Sequence, residues 1–209
     1  IEDHFKRLKE WPWSRTSKVL REYTDNEYDF GIDATAVMNL TSLTISEAKV
    51  LVDSLARNNS GIINGLTLLS VIILLCEGKQ RLESDRIEEI FKLVDFDGTG
   101  QITKAELTIM LLCVSSAMGA ILGRQDERPM DGAVSDIAAS IYKELKKKQN
   151  ANITKKEFAS WCVNAFKDYG ATVDKLFDFF VQRPEPQEEI VKAGVLPDYS
   201  MDPVSEENK

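Results

Sequence analysis

From Asp95 to Glu106 the chain reads Asp-Phe-Asp-Gly-Thr-Gly-Gln-Ile-Thr-Lys-Ala-Glu, with oxygen-bearing side chains at positions 1, 3, 5, 9 and 12 of a twelve-residue segment and glycine at position 6. Ca²⁺ is a hard cation that takes about six to eight oxygens, and a short loop supplies them only by pointing alternate residues inward while its backbone turns sharply. Asp95, Asp97 and Thr99 are the inward side chains, and Gln101 offers its backbone carbonyl. Thr103 acts directly or through a water, and Glu106 closes the set with both carboxylate oxygens. Gly100 meets the positive φ of the turn. Three carboxylates, with threonine at positions 5 and 9, imply Ca²⁺ binding on the order of 10⁻⁶ to 10⁻⁴ M, with room for Mg²⁺ at rest.

Such a loop needs a helix on either side. Ile87, Ile90, Phe91 and Val94 precede it at helical spacing, and Leu107, Met110, Leu111 and Val114 follow it in the same way, so both helices turn one face to a common core. Ile102, at position 8, is not a ligand and is expected in a short strand against the equivalent residue of a partner loop.

Partner loops are visible as internal copies. Gln101-Ile-Thr-Lys-Ala-Glu-Leu recurs as Asn152-Ile-Thr-Lys-Lys-Glu-Phe, which places a second loop at 146–157. Ala138, Ile141, Tyr142 and Leu145 enter it, and Phe158, Trp161, Cys162 and Ala165 leave it. Lys146 and Lys148 stand at its positions 1 and 3, where two ammonium groups would repel a divalent cation, so no metal is expected there. A third copy at 56–67 keeps Asn58, Ser60, Gly61, Ile63 and Asn64 but has Ala56 and Thr67 at positions 1 and 12. Without a carboxylate it cannot offset the desolvation of Ca²⁺. The fourth and weakest copy, Asp25 to Ala36, has Ile32 at position 8. Its entering helix around Ser17 to Thr24 lacks the apolar frame, so it reads equally as an acidic turn between helices.

These four copies, over roughly residues 20 to 168, resemble the EF-hand superfamily, and more narrowly its four-handed members such as the neuronal calcium sensors, the calcineurin B-like regulatory subunits and ciliary calaxin. The resemblance implies an all-α fold of helix–loop–helix pairs in two lobes, with very short β bridges between paired loops. The expected organisation is an N-terminal arm over 1–16 and a hand pair with two degenerate loops over 17–80. A second pair with its first loop intact follows over 81–170, then a C-terminal helix over 171–183 and an acidic extended tail over 184–209.

Composition narrows the function. The 209 residues are 43% hydrophobic, enough for a core, and carry a formal charge of -8, which argues against nucleic acid as a principal partner. Lys143, Lys146, Lys147 and Lys148 form a basic cluster that reads either as a solvated helix end or as a contact for an acidic surface. Cys76, Cys113 and Cys162, an odd set among apolar residues, read as buried free thiols and point to the cytoplasm. Leu66 to Cys76 is too short to span a membrane. Leu107 to Gly123 is apolar beyond a single face, which suggests an uncovered groove or a contact with another chain rather than a transmembrane segment. An enzyme is not expected: no nucleophile stands at a recognisable spacing from a base, there is no phosphate-cradling glycine loop, and His4 is the one histidine.

The two ends read as interaction arms. Trp11-Pro12-Trp13 follows a basic amphipathic start and should anchor in a pocket, either of the protein itself or of a partner. Val173, Leu176, Phe177 and Phe180 form a short amphipathic helix suited to the protein's own groove, and after Pro184 the chain turns acidic and proline-bearing. The start at Ile1 leads us to expect a processed product or part of a longer polypeptide, and Ile1 to Glu10 is too charged for a signal peptide. Two functions are therefore expected. One is a calcium-responsive regulatory or adaptor protein, in which a groove built from residues such as Phe91, Met110 and Leu111 takes a protein partner. The alternative, by resemblance, is a scaffold in a larger cytoskeletal assembly such as a ciliary axoneme, with a non-switching calcium.

Overall fold

The computed structural model describes residues 5–25, 30–56, 60–78, 84–166 and 172–182, so Asn58 and the tail expected over 184–209 lie outside the described residues. The protein is mostly helical. After a short α1 (Lys6–Lys9), the first half runs α2 (Trp13–Asp25), β1 (Gly31–Asp33), α3 (Ala34–Thr41), α4 (Ile45–Leu55), β2 (Ile62–Asn64) and α5 (Gly65–Leu75). The second half repeats the order with α6 (Ser84–Lys92), β3 (Gln101–Ile102), α7 (Lys104–Leu122), α8 (Asp131–Glu144), β4 (Ile153–Thr154) and α9 (Lys155–Phe166), and α10 (Val173–Gln182) follows.

Two local rules set these elements. The residue at position 8 of each loop is an isoleucine, and the strands pair antiparallel with Ile32 opposite Ile63 and Ile102 opposite Ile153. All four isoleucines are buried, so each loop pair is pinned by an apolar cross-strand contact. The residue at position 9 then caps the helix that follows. Asp33 accepts from the Ala36 N–H at 2.8 Å, Asn64 from the Leu66 N–H at 2.8 Å, Thr103 from the Glu106 N–H at 3.2 Å and Thr154 from the Glu157 N–H at 3.3 Å. Each cap is worth about 1 kcal/mol.

The first loop is therefore framed like the others, contrary to the weak frame expected for its entering helix. The frame begins earlier, at Trp13, and is carried by Thr16, Val19, Leu20 and Tyr23 at i, i+3, i+4 and i+7. Two of those four are a threonine and a tyrosine, which disguised the periodicity.

The two halves do not form separate cores. α5 packs along α7, every residue of α5 is buried, and the apolar side chains of both halves make one cluster. Arg86 on α6 ties the halves further, donating to the carbonyls of Ile73 and Cys76 at 2.5 Å each, where it caps the end of α5.

That packing explains the composition of α7. By length and apolarity α7 could cross a membrane, yet α4, α5, α8 and α10 surround it. The expected uncovered face is closed by the protein's own helices. Gly119 makes the last contact possible, because a Cβ there would stand 3.2 Å from Phe177 Cε2 and 2.9 Å from Arg128 Cγ. Val173, Leu176, Phe177 and Phe180 of α10 are buried, and Asp178 meets Arg124 at 2.8 Å. Leu176 and Phe180 fill the groove formed with Ile90, Met110, Leu111 and Trp161, leaving a cavity of only about 30 Å³.

The N-terminal arm also folds inward. Phe5, Leu8 and Trp11 are buried, Arg15 lies over the Trp11 ring at 3.9 Å, and the Trp11 carbonyl accepts from the Glu77 N–H at 2.9 Å. The tryptophan pocket belongs to the protein itself.

Candidate metal centre

The loop at 95–106 is shaped by its own carboxylates. Asp95 accepts from the Thr99 N–H at 3.0 Å and, through its other oxygen, from the Gly100 N–H at 2.8 Å. Asp97 accepts from the same Thr99 N–H at 3.1 Å and from the Thr99 hydroxyl at 2.7 Å. Thr99 Oγ1 is in turn 3.3 Å from the Gln101 carbonyl oxygen. Oxygens of Asp95, Asp97, Thr99 and Gln101 are thus drawn around one short turn, which requires φ of 74° at Gly100, where glycine alone is unstrained. The Thr99 bonds hold the Asp97 carboxyl below the usual aspartate range, which favours its charged form.

Thr103 and Glu106 are engaged differently. Glu106 Oε2 accepts from the Thr103 N–H at 2.7 Å and from the Thr103 hydroxyl at 2.8 Å, the reciprocal capping box of α7. Among the described residues no three histidine, cysteine, aspartate or glutamate side chains gather in one group, since Asp95 and Asp97 converge and Glu106 stays on its cap. The buried Tyr142 phenol is pushed up, first by burial and then by the Glu106 charge, so this carboxylate is felt inside the core. The Thr-x-x-Glu spacing at 103–106 already signals the capping role, which the reading of Glu106 as a ligand alone passes over.

The sister loop at 146–157 tests whether a capped glutamate can also meet a cation. Its Glu157 makes the same box, accepting from the Thr154 N–H at 2.9 Å and hydroxyl at 2.8 Å. The same Glu157 oxygen also receives the Lys147 ammonium at 2.7 Å, and that ammonium donates to the Asn152 carbonyl at 2.6 Å. Asn152 and Glu157 stand at positions 7 and 12, as Gln101 and Glu106 do in the other loop. Capping and cation contact are compatible at position 12; in loop 95–106 oxygens of Asp95, Asp97, Thr99 and Gln101 are gathered, whereas Thr103 and Glu106 are bonded to each other in the cap. The expectation for the lysines is corrected here: Lys146 and Lys148 are exposed, and Lys147 is the one turned to the loop oxygens.

Among the described residues, the two upstream loops have no oxygen side chain reaching back from position 12. In the described parts of 25–36 and 56–67, Ala36 and Thr67 occupy position 12, neither of them a carboxylate, and the Thr67 N–H donates to the capping Asn64 at 3.3 Å. Beside the 95–106 loop, Phe96 and Phe30 meet edge-on at 5.6 Å and are 50% and 55% exposed, which joins the first and third loops at the surface. Cys76, Cys113 and Cys162 are buried and not joined in disulfides, and burial pushes the Cys162 thiol far up, so it is inert.

Fold and loop together define a mostly helical protein whose short strands pair β1 with β2 and β3 with β4, with an oxygen-rich turn at 95–106. Set against known proteins, the chain matches no family model, and a search of curated proteins finds no match.

Proposed function

We propose that this chain is an EF-hand calcium-binding protein with one competent loop, held by Asp95, Asp97, Thr99, the Gln101 carbonyl, Thr103 and Glu106, and that it acts as a calcium-responsive regulatory or adaptor protein for a protein partner. The observation that carries the reading is the convergence of Asp95, Asp97, Thr99 and Gln101 oxygens on one turn, and it is supported by the sister loop, where the position-12 glutamate meets a cation while capped. A bound Ca²⁺ supplies concentrated positive charge that carboxylates and carbonyls can share. The chain's own contribution is position: Glu106 sits in the first turn of α7, the helix at the centre of the fold, so whatever changes at the loop is delivered to α5, α8 and α10 together.

A second reading, a structural calcium module in a larger cytoskeletal or ciliary assembly, is favoured by one specific observation. α10 fills the groove and α7 is enclosed, so a loop that gains an ion can stabilise this packing without opening it.

Calorimetric titration of calcium into chelator-treated protein tests the binding, and hydrogen exchange along α10 separates the readings. One site, lost in Glu106→Gln, with faster exchange at Leu176 to Phe180 on adding calcium supports the responsive protein. One site with slower exchange and a raised Tm supports the structural module. No calcium heat from a folded chain overturns both.

A further inference from the structure

Loop 146–157 lacks the ligands for a metal, yet its β4 is formed and its helix is capped like that of the oxygen-rich loop. Something must offset the carbonyl and carboxylate oxygens that face each other across it. Its geometry shows how. α8 ends with Lys146 in the left-handed region at φ 55°, the Lys146 N–H returning to the Lys143 carbonyl at 3.0 Å and the Lys147 N–H to the Tyr142 carbonyl at 2.9 Å. This is the Schellman closure of a helix, here with lysine in the place usually taken by glycine.

The closure redirects the next residue. At the same loop position, Phe96 of the other loop is half exposed, whereas Lys147 is partly buried and carries its ammonium to the Asn152 carbonyl and the Glu157 carboxylate. Those are the position-7 and position-12 oxygens, the pair by which a twelve-residue loop joins its strand to its exiting helix through a shared cation. A lysine ammonium offers three donors and a unit charge at the end of a flexible stem, enough to bridge two oxygens.

We propose that the Lys147 ammonium is the resident cation of loop 146–157, a tethered monovalent substitute that keeps β4 and the start of α9 assembled without any metal. The loop is then filled rather than vacant. Its strand stands ready opposite β3 at every metal concentration, with Ile153 against Ile102 and the Lys155 N–H on the Gly100 carbonyl at 3.1 Å. The oxygen-rich loop therefore always has its partner, which removes part of the ordering that a lone loop would have to undergo on binding. The inference stands whether or not loop 95–106 takes calcium, because it concerns a cation the chain already carries.

The test uses the full chain with Glu106→Gln, which silences the other loop. In chelator, Lys147→Met is expected to lower Tm by about 2–4 °C, while Lys146→Met and Lys148→Met leave it unchanged. In the same background, Lys146→Asp with Lys148→Asp restores acidic residues at positions 1 and 3, and calorimetry should still find little calcium uptake because the ammonium occupies the site. Adding Lys147→Met should then admit one equivalent, at least about tenfold tighter. NMR of the lysine ammonium groups needs no destabilising variant: the Lys147 protons should exchange with water more slowly than those of Lys146 and Lys148. The proposal is overturned if Lys147→Met costs no more than Lys146→Met, if the triple variant takes up no more calcium than the double, or if the three ammonium groups exchange alike. The wild-type titration fails independently of these results if the reading of loop 95–106 is wrong.

Discussion

Loops 95–106 and 146–157 share a strand isoleucine, a threonine cap and a capping glutamate at the same three positions, and they pair with each other through β3 and β4. They differ in what lies among the oxygens. In the first, two aspartates and a threonine crowd together, bonded to backbone amides, to the Gln101 carbonyl and to one another. In the second, the aspartates are replaced by lysines, and the middle lysine of three reaches the oxygens that remain. The pair teaches that the frame of such a loop and its cation chemistry are separable. Isoleucine at position 8 and an N-cap at position 9 make the shape in both, and the side chains at positions 1 to 3 are where the two loops part.

The sharpest way to break the comparison is to remove what the two loops share. Ile153→Ala should destabilise the protein by about 2–5 kcal/mol in urea denaturation under chelator, because a fully buried side chain is lost from the strand contact. It should also weaken calcium uptake at 95–106, and a variant that loses stability with unchanged affinity would show the loops to be uncoupled. Next in size, Glu106→Gln should reduce calcium affinity by about 100-fold, while stability in chelator changes by under about 1 kcal/mol, since glutamine still completes a capping box. Equal loss of both would make Glu106 a cap and nothing more. Smaller still, Thr103→Ala and Thr154→Ala should each cost about 1 kcal/mol of stability through the lost cap, and only the first should weaken calcium binding in calorimetry.

The smallest effect is in pH. The Lys147 ammonium, with the bonds from Thr154, holds the Glu157 carboxyl below its ordinary value of 4.5. A carboxyl depressed in the folded state contributes stability that is complete above its unfolded pKa and is lost as pH falls through the folded one. Urea midpoints should therefore fall between about pH 5 and pH 3 in the wild type, and fall less steeply in Lys147→Met. Parallel curves would remove Lys147 as the cause.

Much of this was local and so could be read from residue types and spacing. The oxygens at 95–106, the glycine at position 6, the isoleucines and the helical periods around three of the loops are patterns that a dozen residues impose on themselves through backbone geometry. The α10 residues were also legible, as an amphipathic run with Val173, Leu176, Phe177 and Phe180 on one face. What failed did so for identifiable reasons. The frame of α2 hid behind Thr16 and Tyr23, and the excess apolarity of α7 pointed to surroundings it did not name.

By itself, then, the sequence determined where the three downstream loops lie and which of the four copies has acidic residues at positions 1, 3 and 12 together, because ligand spacing and helix period are properties of consecutive residues. Only the tertiary structure decided that α7 is wrapped by α4, α5, α8 and α10, that Trp11 packs at home, and that Lys147 rather than its neighbours lies among the loop oxygens. These outcomes depend on segments far apart in the chain or on the φ of a single helix-ending residue. Neither a partner surface nor one backbone angle is written in the spacing of side chains.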